Sequence, residues 1–230
     1  AQTRADLEAI RVATGHLLDL ANNVLEMAQI EAGQATLHEM AFDVAEMVRD
    51  VTATMQPLLR RHRNRLTLVG TEAVGVVQGD AAKVRQVLLN LVSNAAKFTT
   101  DGEVEVGAAC EAVAGERLRL RVWVRDTGKG IAPERMATLF TPFAIAEEEI
   151  GREQRGAGLG LAISQHYCRL MGGELTITSA PGGGTLAAFW TPVRAAQVAA
   201  ASRKNYEVPQ QEAIIGNETS LWASCTKTVE

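Results

Sequence analysis

Asp80-Ala-Ala-Lys-Val-Arg-Gln-Val-Leu-Leu-Asn90-Leu-Val-Ser-Asn94-Ala-Ala-Lys97 reads as one amphipathic helix. Asp80 stands at the N-cap, where a side-chain oxygen can take one of the orphan N–H groups of the first turn. Val84, Val87, Leu88, Leu91 and Val92 recur at helical spacing and form the face to be buried. Asn90, Asn94 and Lys97 lie four and three residues apart, so they share one polar stripe. Two amide oxygens and an ammonium on one stripe suit a magnesium ion and the phosphates it bridges, because magnesium takes hard oxygen ligands and keeps several waters. Taken alone, amides on a helix surface are more often simply solvated, so the reading depends on what surrounds the helix.

Three further blocks follow in order, the whole set spreading over about a hundred residues: Asp126-Thr-Gly-Lys-Gly130, Gly156-Ala-Gly-Leu-Gly160-Leu161 and Gly182-Gly-Gly-Thr185. Asp126 ends an alternating strand and runs into a turn whose glycines let backbone approach a ligand. A buried carboxylate there can accept from the exocyclic amine of adenine, although Asp-Thr-Gly is also a common turn opener. The glycines at 156–160 precede a helix and expose amide donors at its positive end, the arrangement that binds anions; a plain glycine-rich linker has the same composition. Gly182–Gly184 reads equally as a hairpin turn. Singly these are weak; together and in this order they are specific.

Outward from these blocks, residues 3–32 carry a long amphipathic pattern, with Ile10, Thr14, Leu17, Ala21, Val24 and Ala28 on one stripe, Leu18 and Leu25 widening it, and Gly33 as C-cap. One such helix cannot bury its own stripe, which predicts a partner helix and a homodimer; the competing reading lays it on its own globular domain. Asp43 caps a helix to about Arg61 that Pro57 should kink or end. Strands are expected at 66–69, 74–78, 103–110, 118–125, 174–179 and 185–191, with a helix over 159–171 and a loop over 141–157. The sum is α+β: a two-layer sandwich of one mixed sheet with helices on one face, preceded by one long helix.

Composition sets the outer bounds. With 230 residues, 47% of them hydrophobic, the chain can bury a sizeable core. A net charge of −4 argues against general nucleic-acid binding. Cys110, Cys168 and Cys225 have no C-x-x-C spacing and read as free thiols in a reducing compartment. No apolar run reaches bilayer length, so the expectation is a cytoplasmic location with no membrane contact by this stretch, whatever anchors a longer parent.

In order and content the blocks resemble the N, G1, F, G2 and G3 boxes of the ATP-binding domain of sensor histidine kinases, in the wider group with gyrase, Hsp90 and MutL. Residues 41–193 are covered, and Phe140-Thr-Pro-Phe143 is similar to the F box. The resemblance implies a Bergerat-type fold, with ATP and Mg2+ as cofactors. Asn90 would hold the magnesium and, with Lys97, be catalytic; Asn94 and Lys97 would meet phosphate, and Asp126 would bind adenine. Gly128, Gly130, Ile131, Phe140, Phe143, Gly156, Gly158, Leu159, Gly160, Leu161 and Thr185 would line or shape the pocket. Residues 141–157 would form the ATP lid, with Arg152, Gln154 or Arg155 reaching the phosphates. The hydrolysing relatives place a catalytic Glu where this chain has Asn90, so a base for water attack is missing. That favours phosphoryl transfer to a protein side chain over hydrolysis or a purely nucleotide-sensing module.

Residues 1–36 resemble the second helix of the dimerisation and phosphotransfer hairpin. His16 lacks the adjacent acidic residue of the family's acceptor, and His38, His62 and His166 have no better context, so no phosphoacceptor is expected in this chain. The implied partner is a response-regulator receiver domain, with Asn22, Asn23 and Glu26 as possible contacts or plain solvated positions. Residues 194–230 depart from the pattern and read as a linker or tail of unknown role.

Overall fold

In a computed structural model of the chain, the residues described are 14, 21–30, 32–113, 117–143 and 158–196. The expectations for the start of the first helix, for 144–157 (Arg152, Gln154, Arg155 and Gly156 included), for Cys225 and for the tail beyond 196 fall outside them.

Helix α1 (described over residues 21–30) ends where Gly33 was expected to stop it. Gly33 has φ +65°, its N–H donates to Ile30, and that of Gln34 reaches Gln29, the paired bonds of a glycine-closed C-terminus. The face that docks is not the predicted stripe: Met27 and Ile30, outside it, pack against the core, while Val24 and Leu25 of the stripe stay exposed at 46% and 60%. Glu26 is half-buried and faces Tyr167. Burial pushes its carboxyl up, opposed by the Tyr167 hydroxyl and the Lys83 ammonium. Tyr167 itself is pushed up to about 12 by burial, helped by Glu26 and Asp80.

Seven strands make one sheet: β1 (Met40–Asp43), β2 (Arg65–Val69), β3 (Val76–Gly79), β4 (Glu103–Ala112), β5 (Arg117–Asp126), β6 (Glu174–Ser179) and β7 (Thr185–Ala195). The order is β1-β3-β7-β5-β4-β2, with β6 also pairing β7. Among the described residues only the β2–β4 pair is parallel, so the sheet is mixed as expected. Along β4, β5 and β7 the alternation puts Val104, Val106, Ala108, Leu120, Val122, Val124, Ala187, Phe189 and Val193 on one buried face. Against it pack α2 (Val44–Arg61), α3 (Ala81–Phe98) and α5 (Gly160–Leu170), in the predicted two layers. A four-residue helix, α4 (Pro133–Met136), follows the Asp126 turn.

Both predicted caps are made. Asp43 accepts from the Glu46 N–H at 2.9 Å and Asp80 from the Lys83 N–H at 3.0 Å. The α2 helix runs to Arg61 as expected, with Pro57 exposed inside it. Strand boundaries differ from expectation. Residues 74–75 close a single 3-10 turn, Thr71–Ala73, rather than opening β3. Strand β7 continues past Thr191 through Pro192, which is exposed, to Ala195. Cys168 is fully buried, which pushes its thiol up to about 12, and Cys110 is half-buried; both are free thiols.

Candidate functional site

The four blocks converge, and each junction rests on a glycine that makes room for its neighbour. Asn90 on α3 meets α5: its Nδ2 donates to Ser164 Oγ at 2.9 Å, and its Oδ1 lies 2.3 Å from where a β-carbon on Gly160 would stand. The α5 N-terminus begins after Leu159 and has no side-chain cap among the described residues, the kind of helix start whose first N–H groups can meet an anion. Leu159 itself is fully buried and anchors that turn in the core, where Leu161 is half-buried.

The end of α3 also abuts the Asp126 turn. A β-carbon on Gly128 would stand 2.5 Å from the Phe98 carbonyl and 2.8 Å from Thr99 Oγ1. The Asp126 carboxyl, 9% exposed, accepts from the Gly128 N–H at 2.8 Å. Burial pushes this carboxyl above the ordinary carboxylate range, opposed by the Gly128 N–H, the Thr99 hydroxyl and the Thr185 N–H. The turn leans in its other direction on the β6–β7 hairpin. Gly130 has φ +69° and leaves 1.9 Å between a would-be β-carbon and the Ala180 carbonyl; Gly184, at φ +74°, does the same with the Asp126 carbonyl at 2.0 Å. The Gly182 N–H donates to the Lys129 carbonyl at 2.8 Å, and the Ile131 N–H to Ser179 Oγ at 2.9 Å. Ser179 in turn bonds the Gly184 carbonyl and lies 3.0 Å from Thr185 Oγ1. Thr185 pairs in register with Asp126.

A cavity of about 310 Å³ opens beside the turn, lined by Lys97, Phe98, Thr100, Thr127, Gly128 and Lys129. Of the predicted residues it contains Lys97 and Gly128; Asn90, Asn94 and Asp126 lie outside its walls. Lys129, whose Nζ lies 5.7 Å over the Phe98 ring, adds a second ammonium to the same rim. The Phe140–Phe143 segment divides: Phe140 packs on the core while Phe143 is 62% exposed at φ +61°. The Phe143 N–H nevertheless donates to the Gly158 carbonyl at 3.1 Å, so the residues that flank 144–157 meet. Thr99, Ser164 and Ser179 are site residues that the sequence pattern did not single out.

Residues 79–195 match the family described as Histidine kinase-, DNA gyrase B-, and HSP90-like ATPase. The chain belongs to that family. Within this ATPase family it carries the catalytic domain of the sensor histidine kinases. It is 32% identical to the sensor protein GacS of Pseudomonas syringae pv. syringae over 88% of this chain and 22% of that one. It is 31% identical to the signal transduction histidine-protein kinase BarA of Escherichia coli (strain K12), over 81% and 20% of the two chains. The chain thus spans about a fifth of the length of these curated relatives. Among solved structures, full-length ShkA in complex with AMPPNP superposes with a TM-score of 0.68 at 32% identity, over 85% of this chain and 40% of that one. The histidine kinase AdeS of Acinetobacter baumannii, at 21% identity and a TM-score of 0.58, shares the fold.

Proposed function

We propose that this domain binds ATP with magnesium and transfers the γ-phosphoryl group to a histidine on a dimerisation hairpin, from which it passes to a response-regulator receiver domain. The observation that carries the reading is the stitching of four sequence-distant blocks around one region, with Asn90 on Gly160 and Ser164, Phe98 and Thr99 on Gly128, and Gly184 on Asp126. In this reading Asp126, short of water, takes the exocyclic amine of adenine on its carboxylate. The uncapped first turn of α5 and the Lys97 ammonium receive the phosphates. Asn90 holds the magnesium through its amide oxygen, with Gly160 leaving the room for it. A magnesium ion held by Asn90 would supply charge neutralisation to the phosphates. The chain's own residues supply position and field, the two terms that dominate phosphoryl transfer. Asn90 is no base, and water attack goes unassisted. The exposed Val24 and Leu25 of α1 favour a homodimer through that helix.

The test supplies this chain with γ-labelled ATP and the isolated dimerisation hairpin of a histidine-kinase relative. Acid-labile, base-stable label on the hairpin histidine is the expected result. Free phosphate without hairpin label would point to a hydrolase, and bound but untransferred ATP to a nucleotide-sensing module.

A further inference from the structure

One face of α5 holds the Asn90 amide at two points. Gly160 and Ser164 are four residues apart and so stand one above the other along that helix. The amide lies across them, Oδ1 in the space Gly160 leaves and Nδ2 donating to Ser164 Oγ at 2.9 Å. Ser164 is 1% exposed, so water does not compete for its hydroxyl. Packing alone accounts for a small residue at 164 but not for a hydroxyl, since burying one without a partner is unfavourable. The partner here is Asn90, on a different helix and 74 positions away.

We propose that Ser164 is a positioning residue for Asn90. By accepting the hydrogen bond from Nδ2 it commits the nitrogen end of the amide, so the oxygen end faces the first turn of α5, where magnesium and the phosphates would sit. An amide has two ends of nearly equal shape, and without this bond either can face the cation; the NH2 end repels it. Orienting partners behind a metal ligand act in this way generally. The role rests on the nucleotide reading proposed above.

The experiment is a calorimetric titration of ADP into the full 230-residue chain, in excess Mg2+ and in EDTA, the ratio of the two Kd values giving the magnesium coupling. Ser164→Ala shrinks that ratio about fivefold, equivalent to about 1 kcal/mol, and leaves the Kd in EDTA within about twofold. Ser164→Thr, which keeps the hydroxyl, restores the ratio. In an Asn90→Ala background Ser164→Ala has no further effect, as expected when one residue acts through the other. An unchanged ratio in Ser164→Ala overturns the proposal, as does an equal loss in both buffers, the mark of a merely structural role. ADP binding in the unmodified chain with no magnesium coupling overturns it too. If the unmodified chain ignores ADP in both buffers, the nucleotide reading itself fails and takes this role with it.

Discussion

Gly160→Ala is expected to separate folding from function. The added methyl carbon would stand 2.3 Å from Asn90 Oδ1 and 2.9 Å from its Cγ, roughly 1 Å inside ordinary contact. Asn90 is a half-buried side chain rather than backbone, so it swings away and gives up its bond to Ser164. Losing that bond costs about 1 kcal/mol, while alanine in place of glycine in a helix returns up to about 1 kcal/mol. The two nearly cancel. With about 2–4 °C per kcal/mol for a chain of this size, Tm should move by no more than about 4 °C. Function has no such offset: an amide displaced by about 1 Å loses its place at the metal, and errors of that size cost on the order of 100-fold in transfer rate. Thermal melting beside Mg-ADP calorimetry reads both, with at least about a tenfold weaker Kd expected, about 1.4 kcal/mol. A variant that melts normally and binds Mg-ADP at full affinity would refute the reasoning.

The other predictions concern the remaining junctions. Gly184→Ala places its β-carbon 2.0 Å from the Asp126 backbone carbonyl at φ +74°, where no side chain can yield; left-handed strain and overpacking together cost about 2–5 kcal/mol, and Tm should drop on the order of 10 °C. An unshifted melt would show the hairpin to be plastic. Asp80→Ala removes the α3 cap, and with it a bond from the His38 N–H at 2.8 Å and the Lys83 ion pair at 3.3 Å, for a loss of about 1–2 kcal/mol at neutral pH. Burial opposes ionisation of Asp80, but its His38 and Lys83 partners outweigh it and hold the carboxyl below the ordinary range. Its stabilisation is therefore present above the unfolded value of 3.8 and fades as pH falls through the folded one, so the penalty of the variant should vanish in strong acid. Asp126 has the opposite sign: burial raises its pKa, so its contribution is full below 3.8 and is lost as pH rises through the folded value. The Tm of Asp126→Asn relative to the unmodified chain should climb from acid to neutral pH, and a pH-independent difference would contradict the burial argument.

How legible the chain was follows from how local each signal is. The α3 helix announced itself through its Asp80 cap and valine-leucine stripe, and the long strands β4 and β5 through their alternation, because both patterns repeat over many residues. Strand β1 escaped because it is four residues long, half exposed, and made by pairing with β3 rather than by any period of its own. Pro57 lies within α2 and Pro192 within β7, both exposed; one lost N–H at a surface position is tolerated when packing continues on both sides. Within the site, glycines could be read because spacing marks them. Ser164 and Ser179 could not, since their meaning lies in partners 74 and 48 positions away. Glu26, which a helical wheel places among solvated residues, is tied to Tyr167 by the docking of α1, a contact with no sequence period at all.

The central claim, that these blocks form one adenine-nucleotide site governed by Asp126, is tested most directly by titrating Mg-ADP into the unmodified chain and into Asp126→Asn by calorimetry. Saturable one-site binding that the substitution abolishes, with both proteins folded, is the predicted result. Equal binding by both would remove Asp126 from the site, and no binding by the unmodified chain would contradict the account.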